Sequence, residues 1–125
     1  MRKQYNFWPG PTGLDAWDVG RLISLSSGLP VLDVELSSIA ELDTPYWSVG
    51  PDASMTVRDV ITHAELIQAA DLSYPIILSV DGRVMDGMHR IAKAVLLGLA
   101  TITAVQFAVD PEPDHRNCRP DALPY

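Results

Sequence analysis

The most constraining feature of the sequence is the segment 75–109, in which signals for strand, turn, strand, helix and strand follow one another without a gap. Asp81-Gly82 is the two-residue signature of a type I′ hairpin turn between two short apolar runs. Gly98 then ends a stretch with helical spacing, as a glycine does after the last helical turn. The predicted elements are strands at 75–80 and 83–85, a helix at about 88–97 and a β-branched strand at 101–109.

The residues before this segment predict two more helices and one strand. A helical pattern over 14–27 ends at Gly28, and residues 32–36 alternate between apolar and acidic, which is the period of a half-buried strand. Thr56 and Asp59 have the form of a capping box that opens a helix running to about Ala70. A helical turn at 37–42 and a loop at 43–54 complete the order. We therefore predict an α+β domain with a small mixed sheet, a β-hairpin and about three helices.

The chain length of 125 residues fits one domain. We expect the domain to occupy residues 14–109, between an extended arm at 1–13 anchored by Trp8 and a proline-rich tail at 110–125.

The formal charge of −7 argues against DNA as a partner, because DNA affinity comes mainly from Lys and Arg on phosphates. Cys118 is the one cysteine, which excludes an internal disulfide and a thiolate-rich zinc site, and no metal site is expected. No apolar run reaches the roughly 18 residues of a membrane span, which predicts no membrane partner. The basic start leads into Trp8 and Pro9 without the apolar segment of a signal peptide, and together with the single cysteine these features predict a cytoplasmic protein.

The first two turns of the third predicted helix carry three basic side chains, His89, Arg90 and Lys93. A helix N-terminus already has about half a positive charge, so cations there are unfavourable unless an anion binds. In that hypothesis the free N–H groups of Gly87 and Met88 and the side chain of Arg90 hold a phosphate, and Asp86 is the N-cap. The alternative is structural. Asp86-Gly87 is then only a cap and turn, Arg90 pairs with a neighbouring carboxylate, and His89 lies on the surface.

The same residues resemble the ParB/sulfiredoxin superfamily. The similarity covers about residues 30–108, and its specific core is Asp86-Gly87-Met88-His89-Arg90 followed by an alanine-rich helix, a glycine and a closing strand. Sulfiredoxins have a cysteine where this chain has Met88, and a thioether cannot replace a thiolate, so sulfinic-acid reductase activity is not expected. Partition proteins of this superfamily add a helix-turn-helix, for which too few residues follow the similar region. The resemblance therefore implies a stand-alone member.

A third branch of the superfamily contains kinases of small molecules, which need a carboxylate base in the loop after the first strand. Glu41 and Asp43 lie in the corresponding loop, and either is a candidate base; the alternative is that both are solvated acids. Tyr46 and Trp47 are candidates for stacking on a nucleobase, or else are anchors to the core. His63, on the second predicted helix, is expected to be an ordinary packed or exposed histidine.

The leading hypothesis is thus a nucleotide-binding domain that takes ATP, ADP or CTP with Mg²⁺ and acts as a phosphotransferase or nucleotide hydrolase. Its phosphate site is predicted from the ligand candidates Asp86, Gly87, Met88, His89, Arg90 and Lys93. The first alternative is a non-catalytic module that binds a protein partner through its acidic surface. The second is a partition-type DNA-associated protein without its helix-turn-helix.

Overall fold

The computed structural model describes residues 3–48 and 54–125. In these residues the chain forms three α-helices and seven strands, which confirms the α+β class. The strands are β1 Tyr5–Gly10, β2 Gly13–Asp18, β3 Leu32–Glu35, β4 Ile76–Leu78, β5 Val84–Asp86, β6 Thr101–Gln106 and β7 His115–Cys118. The helices are α1 Val19–Ser26, α2 Val57–Ala69 and α3 Met88–Leu96, with short 3-10 turns at Leu36–Ser38, Ala40–Asp43 and Pro120–Ala122. Residues 49–53 of the loop predicted at 43–54 lie outside the described residues.

The larger sheet has four strands in the order β3-β6-β4-β5. Strands β4 and β6 are parallel, and the other two pairs are antiparallel. Successive side chains of a strand point to opposite faces, so a strand covered on both faces is apolar throughout. The continuous apolar run of β4 has this cause, since all three of its residues are buried.

Two apolar clusters cover the two faces of this sheet. The first packs α3 and the turns after β3 against one face; its buried members are Leu36, Ile39, Ile76, Leu78, Val84, Met88, Ile91, Ala94, Ile102 and Ala104. The second packs α1 and the N-terminal hairpin against the other face; its buried members are Trp8, Trp17, Leu22, Ile77, Met85, Val105 and Phe107. The sheet is therefore the middle layer, and α3 is held with its N-terminus beside the end of β5.

The N-terminal region differs from the prediction. The arm expected at 1–13 contributes β1, which pairs with β2 as an antiparallel hairpin, and the helix expected at 14–27 begins only at Val19. Trp8 does anchor this region, because it is buried and packs edge to face on Trp17 with 5.0 Å between ring centroids. The tail also has structure, since β7 adds to β2 as the third strand of the smaller sheet. The pairing of β2 with β7 joins residues about a hundred positions apart, which a local pattern does not reveal.

The hairpin between β4 and β5 is confirmed, but the predicted turn type is wrong. A type I′ turn needs positive φ at both central residues. Here Gly82 has φ of 81°, whereas Asp81 is not among the positive-φ residues of the described chain. The N–H of Gly82 donates to the carbonyl of Ser79. This is the geometry of a longer loop, in which an ordinary turn is followed by one left-handed glycine, and the register of the strands shifts accordingly.

The capping box of α2 is confirmed in both directions. The Thr56 hydroxyl accepts from the N–H of Asp59, and the Asp59 carboxylate accepts from the N–H of Thr56. Helix α3 buries only some of its apolar residues. Met88 and Ile91 are in the core with Ala94, whereas Val95, Leu96 and Leu99 are exposed.

Candidate functional site

A cleft of about 820 Å³ opens at the start of α3. Its walls are mainly apolar and come from α1, the end of α2, the segment before β4 and the sheet itself. Asp86, Gly87, His89 and Arg90 line the part of the cleft at the start of α3, which we call the polar end. Further polar residues in the lining are Gln4, Ser26, Ser27 and Asp71. The size is that of a small-molecule site, which is typically a mostly apolar cavity with a few polar groups that orient the ligand. The apolar wall consists mainly of Val19, Ile23, Leu29, Val31, Leu66, Ala69, Ala70, Tyr74, Pro75, Ile77 and Val105.

Gly87, not Asp86, is the N-cap of α3, so the expectation for Asp86 was wrong. Gly87 has the left-handed φ of 110°, and a glycine has no side chain with which to cap the helix. The N–H groups of Met88 and His89 in the first turn therefore have no intrahelical acceptor. The side chain of Met88 is buried in the core, and Met88 is not among the residues that line the cleft.

The requirement for glycine at position 87 comes from packing. A Cβ at this position would lie 2.6 Å from Cγ2 of Ile76 and 3.0 Å from Nη2 of Arg90. The glycine therefore allows α3 to approach β4 closely.

Arg90 is held by three acceptors of the protein itself. Its Nη2 donates to the Asp86 carboxylate at 2.8 Å, and its Nη1 donates to the carbonyls of Tyr74 and Pro75 at 3.0 and 2.9 Å. Both charged side chains are largely buried, at 15% and 19% exposure. Burial raises the pKa of Asp86, while the charge and hydrogen bond of Arg90 and the N–H of Gly87 oppose that rise. Arg90 thus pairs with a neighbouring carboxylate, as the structural alternative to a phosphate site predicted. The N–H of its Nε and one N–H of its Nη2 still have no acceptor among the described residues.

Lys93 also has partners within the protein. Its Nζ donates to the carbonyls of Gln68 and Ala70 at 2.9 and 2.7 Å. These are carbonyls at the C-terminus of α2, where the helix dipole favours a cation. The expectation of uncompensated positive charge at the start of α3 was therefore wrong for both Lys93 and Arg90. Their charges join α3 to the end of α2 and to the segment before β4.

Three rings form a stack beside the cleft. Nδ1 of His63 lies 2.7 Å from Nε2 of His89, so one imidazole donates to the other. Trp47 lies over both rings, with centroid separations of 4.2 Å to His63 and 4.8 Å to His89 and interplanar angles below 20°. His89 lines the cleft, and His63 and Trp47 line a second cavity of about 200 Å³. The histidine pair therefore connects the two cavities.

Both histidines are neutral at pH 7. Burial, and to a smaller extent the neighbouring His63, lower the pKa of His89 to about 4. Burial also lowers the pKa of His63, which the carboxylate of Asp59 partly offsets. Two imidazoles that share one hydrogen bond need a donor in one ring and an acceptor in the other, and the neutral forms satisfy this requirement.

The candidate bases and the stacking candidate Tyr46 lie away from the cleft. A carboxylate oxygen of Glu41 accepts from the N–H of Val84 at 2.8 Å, which fixes the turn after β3 to β5. Asp43 is exposed, and neither acid is among the described residues that line the cleft. Tyr46 packs against the core, and its hydroxyl donates to the carbonyl of Val84 at 3.3 Å. Burial raises the pKa of Tyr46, and the charges of Glu41 and Asp86 reinforce the rise. These residues support the scaffold around β5.

The sequence prediction missed His63 as a member of this region. His63 is 26 positions from His89, and the pair forms because α2 and α3 lie side by side and run in the same direction. The inward spacing of His63 and Ile67 on α2 was the available signal, but it does not identify the partner.

In the described segments, no group of three or more His, Cys, Asp or Glu is arranged to hold a metal ion. None of the described helices has the length and apolar content to span a membrane.

Comparisons of the chain with protein-family models, with curated proteins and with solved structures found no significant match.

Proposed function

We propose that this chain binds a phosphorylated small molecule in the 820 Å³ cleft, and that a nucleotide such as ATP, ADP or CTP is the class to test first. One observation carries the proposal: the uncapped N-terminus of α3 opens into a cleft that is otherwise mainly apolar. Backbone N–H groups and the helix dipole at such a terminus favour an anion. The apolar wall suits the organic part of the same ligand.

The polar end binds through hydrogen bonds more than through net charge. Arg90 is neutralised by Asp86, and His89 is uncharged at pH 7. The ligand oxygens would meet the backbone N–H and the imidazole of His89 and the remaining N–H groups of Arg90, all of which belong to residues that line the cleft. Lys93 is directed to the end of α2, so we assign it no contact with the ligand.

The proposal is for binding, and no reaction is assigned. Glu41 supports β5 and Asp43 is exposed. Neither residue lines the cleft, so we do not assign either of them the role of general base. The resemblance of residues 86–94 to the ParB/sulfiredoxin superfamily is consistent with a phosphate ligand at the same residues, and we propose this superfamily as the origin of the scaffold. Mg²⁺ would enter only as a companion of the nucleotide phosphates.

Calorimetric titration with ATP, ADP, CTP and GTP, with and without Mg²⁺, tests the proposal. Two residues of α1 provide a matched pair: Ile23 and Leu25 are exposed to a similar extent, but only Ile23 lines the cleft. We expect Ile23→Asp to weaken binding by about tenfold or more, since a charge then faces the apolar wall. Leu25→Asp should bind as the wild type does.

A second variant tests the polar end. His89→Ala removes one imidazole from the cleft wall and leaves the Arg90–Asp86 ion pair in place, so we expect weaker binding by a folded protein. Arg90 is unsuitable as the first target, because its loss would also release two carbonyls and a buried carboxylate. Failure of the wild type to bind any of the four nucleotides or inorganic phosphate would overturn the proposal, as would equal effects of Ile23→Asp and Leu25→Asp.

The alternative function, a protein-interaction module, is favoured by one observation. Helix α2 has 13 residues, none of which is buried. A helix of a stable domain normally buries an apolar stripe, so a helix that leaves its stripe in water indicates a contact surface.

A further inference from the structure

Helix α2 carries an apolar stripe on its outer side. Val57, Val60, Ile61 and Ala64 follow the spacing of one helix face, and all four are exposed. The exposed fractions of the three larger side chains are 78%, 54% and 51%. This face is separate from the cleft, to which α2 contributes Leu66 and its last residues.

The body of the protein contacts α2 along the side next to this stripe. His63 bonds His89 of α3, and Ile67 is half-buried. The last carbonyls of α2 accept from Lys93. These contacts fix the rotation of the helix about its axis. The outer stripe therefore cannot turn into the core without loss of the hydrogen bonds that hold α2.

Two opposite charges flank the stripe. Arg58 and Glu65 stand at positions i and i+7, about two helical turns apart, and so lie on the same flank of α2. Neither makes an ion pair within residues 3–48 and 54–125. The flank is therefore positive toward the N-terminus of the helix and negative toward its C-terminus.

This charge pattern is complementary to itself in one orientation. When two copies of α2 pack antiparallel about a two-fold axis, Arg58 of each copy faces Glu65 of the other, and Ile61 lies near the axis. In a parallel two-fold arrangement the charged flanks of the two copies would lie on opposite sides of the seam, so Arg58 would not meet Glu65 and neither charge would gain a partner. A two-fold interface uses the same patch on both copies, so a self-complementary patch is the expected signature.

We propose that α2 forms the two-fold interface of a homodimer, antiparallel to α2 of a second copy, with Val57, Val60, Ile61 and Ala64 in the seam. The seam removes the exposed apolar stripe from water, which supplies the driving force. The two Arg58–Glu65 pairs select the antiparallel orientation, as flanking charges do in helix pairs. The proposal does not depend on what occupies the cleft.

Sedimentation equilibrium of the full chain over a range of protein concentrations tests the dimer. We expect the wild type to dimerise and Ile61→Asp to raise the dimer Kd by at least about a hundredfold, since two buried charges would meet near the axis. Val109→Asp is the control, because Val109 is 81% exposed and lies outside α2. Far-UV circular dichroism and thermal melting establish that each variant is folded.

Charge exchange tests the orientation. Arg58→Glu and Glu65→Arg each place like charges across the seam, and each should raise the dimer Kd by about tenfold or more. The double variant restores both pairs with reversed sign and should dimerise nearly as the wild type does. A wild type that stays monomeric, including one that binds only other proteins, overturns the proposal. So does a dimer that Ile61→Asp leaves intact, or a double variant no better than the singles.

Discussion

Nδ1 of His63 lies 2.7 Å from Nε2 of His89, and Trp47 stacks on both rings. This contact joins the middle of α2 to the first turn of α3, at the wall of the cleft. Burial holds both imidazoles neutral at pH 7, so the hydrogen bond between them is one of donor and acceptor, with no net charge. The stability of this corner therefore depends on pH.

We predict that the protein loses stability as pH falls from about 6.5 to about 4. The pKa of His89 is lowered to about 4 in the folded state, so the unfolded chain takes up a proton first and is favoured in this window. The loss from His89 should be on the order of 1–2 kcal/mol, because solvent screens a half-buried group. Hydrogen bonds with Thr56 and Ser73 lower the pKa of Asp59 and Asp71, so the stability that these carboxylates contribute is lost only at lower pH. Burial raises the pKa of Asp86, which acts in the opposite direction to His89.

Urea denaturation at several pH values measures this effect in the wild type and in His89→Gln. The variant lacks the titrating group and should show a flatter dependence over the same window. His115→Gln, which alters a histidine far from this stack, is the control and should follow the wild type. Identical pH dependence in the wild type and in His89→Gln would contradict the prediction.

Gly87→Ala should destabilise the fold by about 2–4 kcal/mol. The substitution combines a left-handed φ of 110° with a Cβ placed 2.6 Å from Cγ2 of Ile76. Gly98→Ala shares the positive φ but meets nothing within 4 Å, and should cost only about 1 kcal/mol. Gly28→Ala has neither problem and should be neutral or slightly stabilising. Thermal melting measures the series, and equal effects at the three glycines would refute the packing explanation.

Arg90→Met should cost about 2–4 kcal/mol, because it leaves the Asp86 carboxylate buried without its partner and releases the carbonyls of Tyr74 and Pro75. Adding Asp86→Asn removes the uncompensated charge, so the double variant should be no less stable than Arg90→Met alone. Chemical denaturation of the wild type, both single variants and the double variant gives the coupling energy. Additive effects would mean that the ion pair contributes little.

Glu41→Ala should cost about 1–2 kcal/mol, since the N–H of Val84 loses its acceptor. Glu41→Gln retains a side-chain oxygen and should remain within about 0.5 kcal/mol of the wild type. Asp43→Ala is the control, because Asp43 is exposed and should change stability by less than about 0.5 kcal/mol. If Asp43→Ala were as harmful as Glu41→Ala, the structural role of Glu41 would not stand.

Local signals in the sequence were sufficient for part of the fold. The capping box of Thr56 and Asp59, the buried strand Ile76–Leu78 and the span of α3 were predicted close to their observed bounds. Each depends on residues within one or two helical turns, or on the continuous apolar run of one strand. The arm, the tail and the first helix were predicted incorrectly, because β1 and β7 exist only through pairing with β2.

The candidate site, like the fold, was predictable from the sequence only in its local features. The sequence by itself determined that Gly87, His89 and Arg90 stand at the start of a helix, since spacing and the glycine are local. Only the tertiary structure decided what these residues contact: the carbonyls before β4 for Arg90, His63 for His89 and Ile76 for Gly87. Those partners are distant in sequence and are selected by how α2, α3 and the sheet pack. A hydrogen-bond donor has no preference for one remote acceptor until packing brings it within reach.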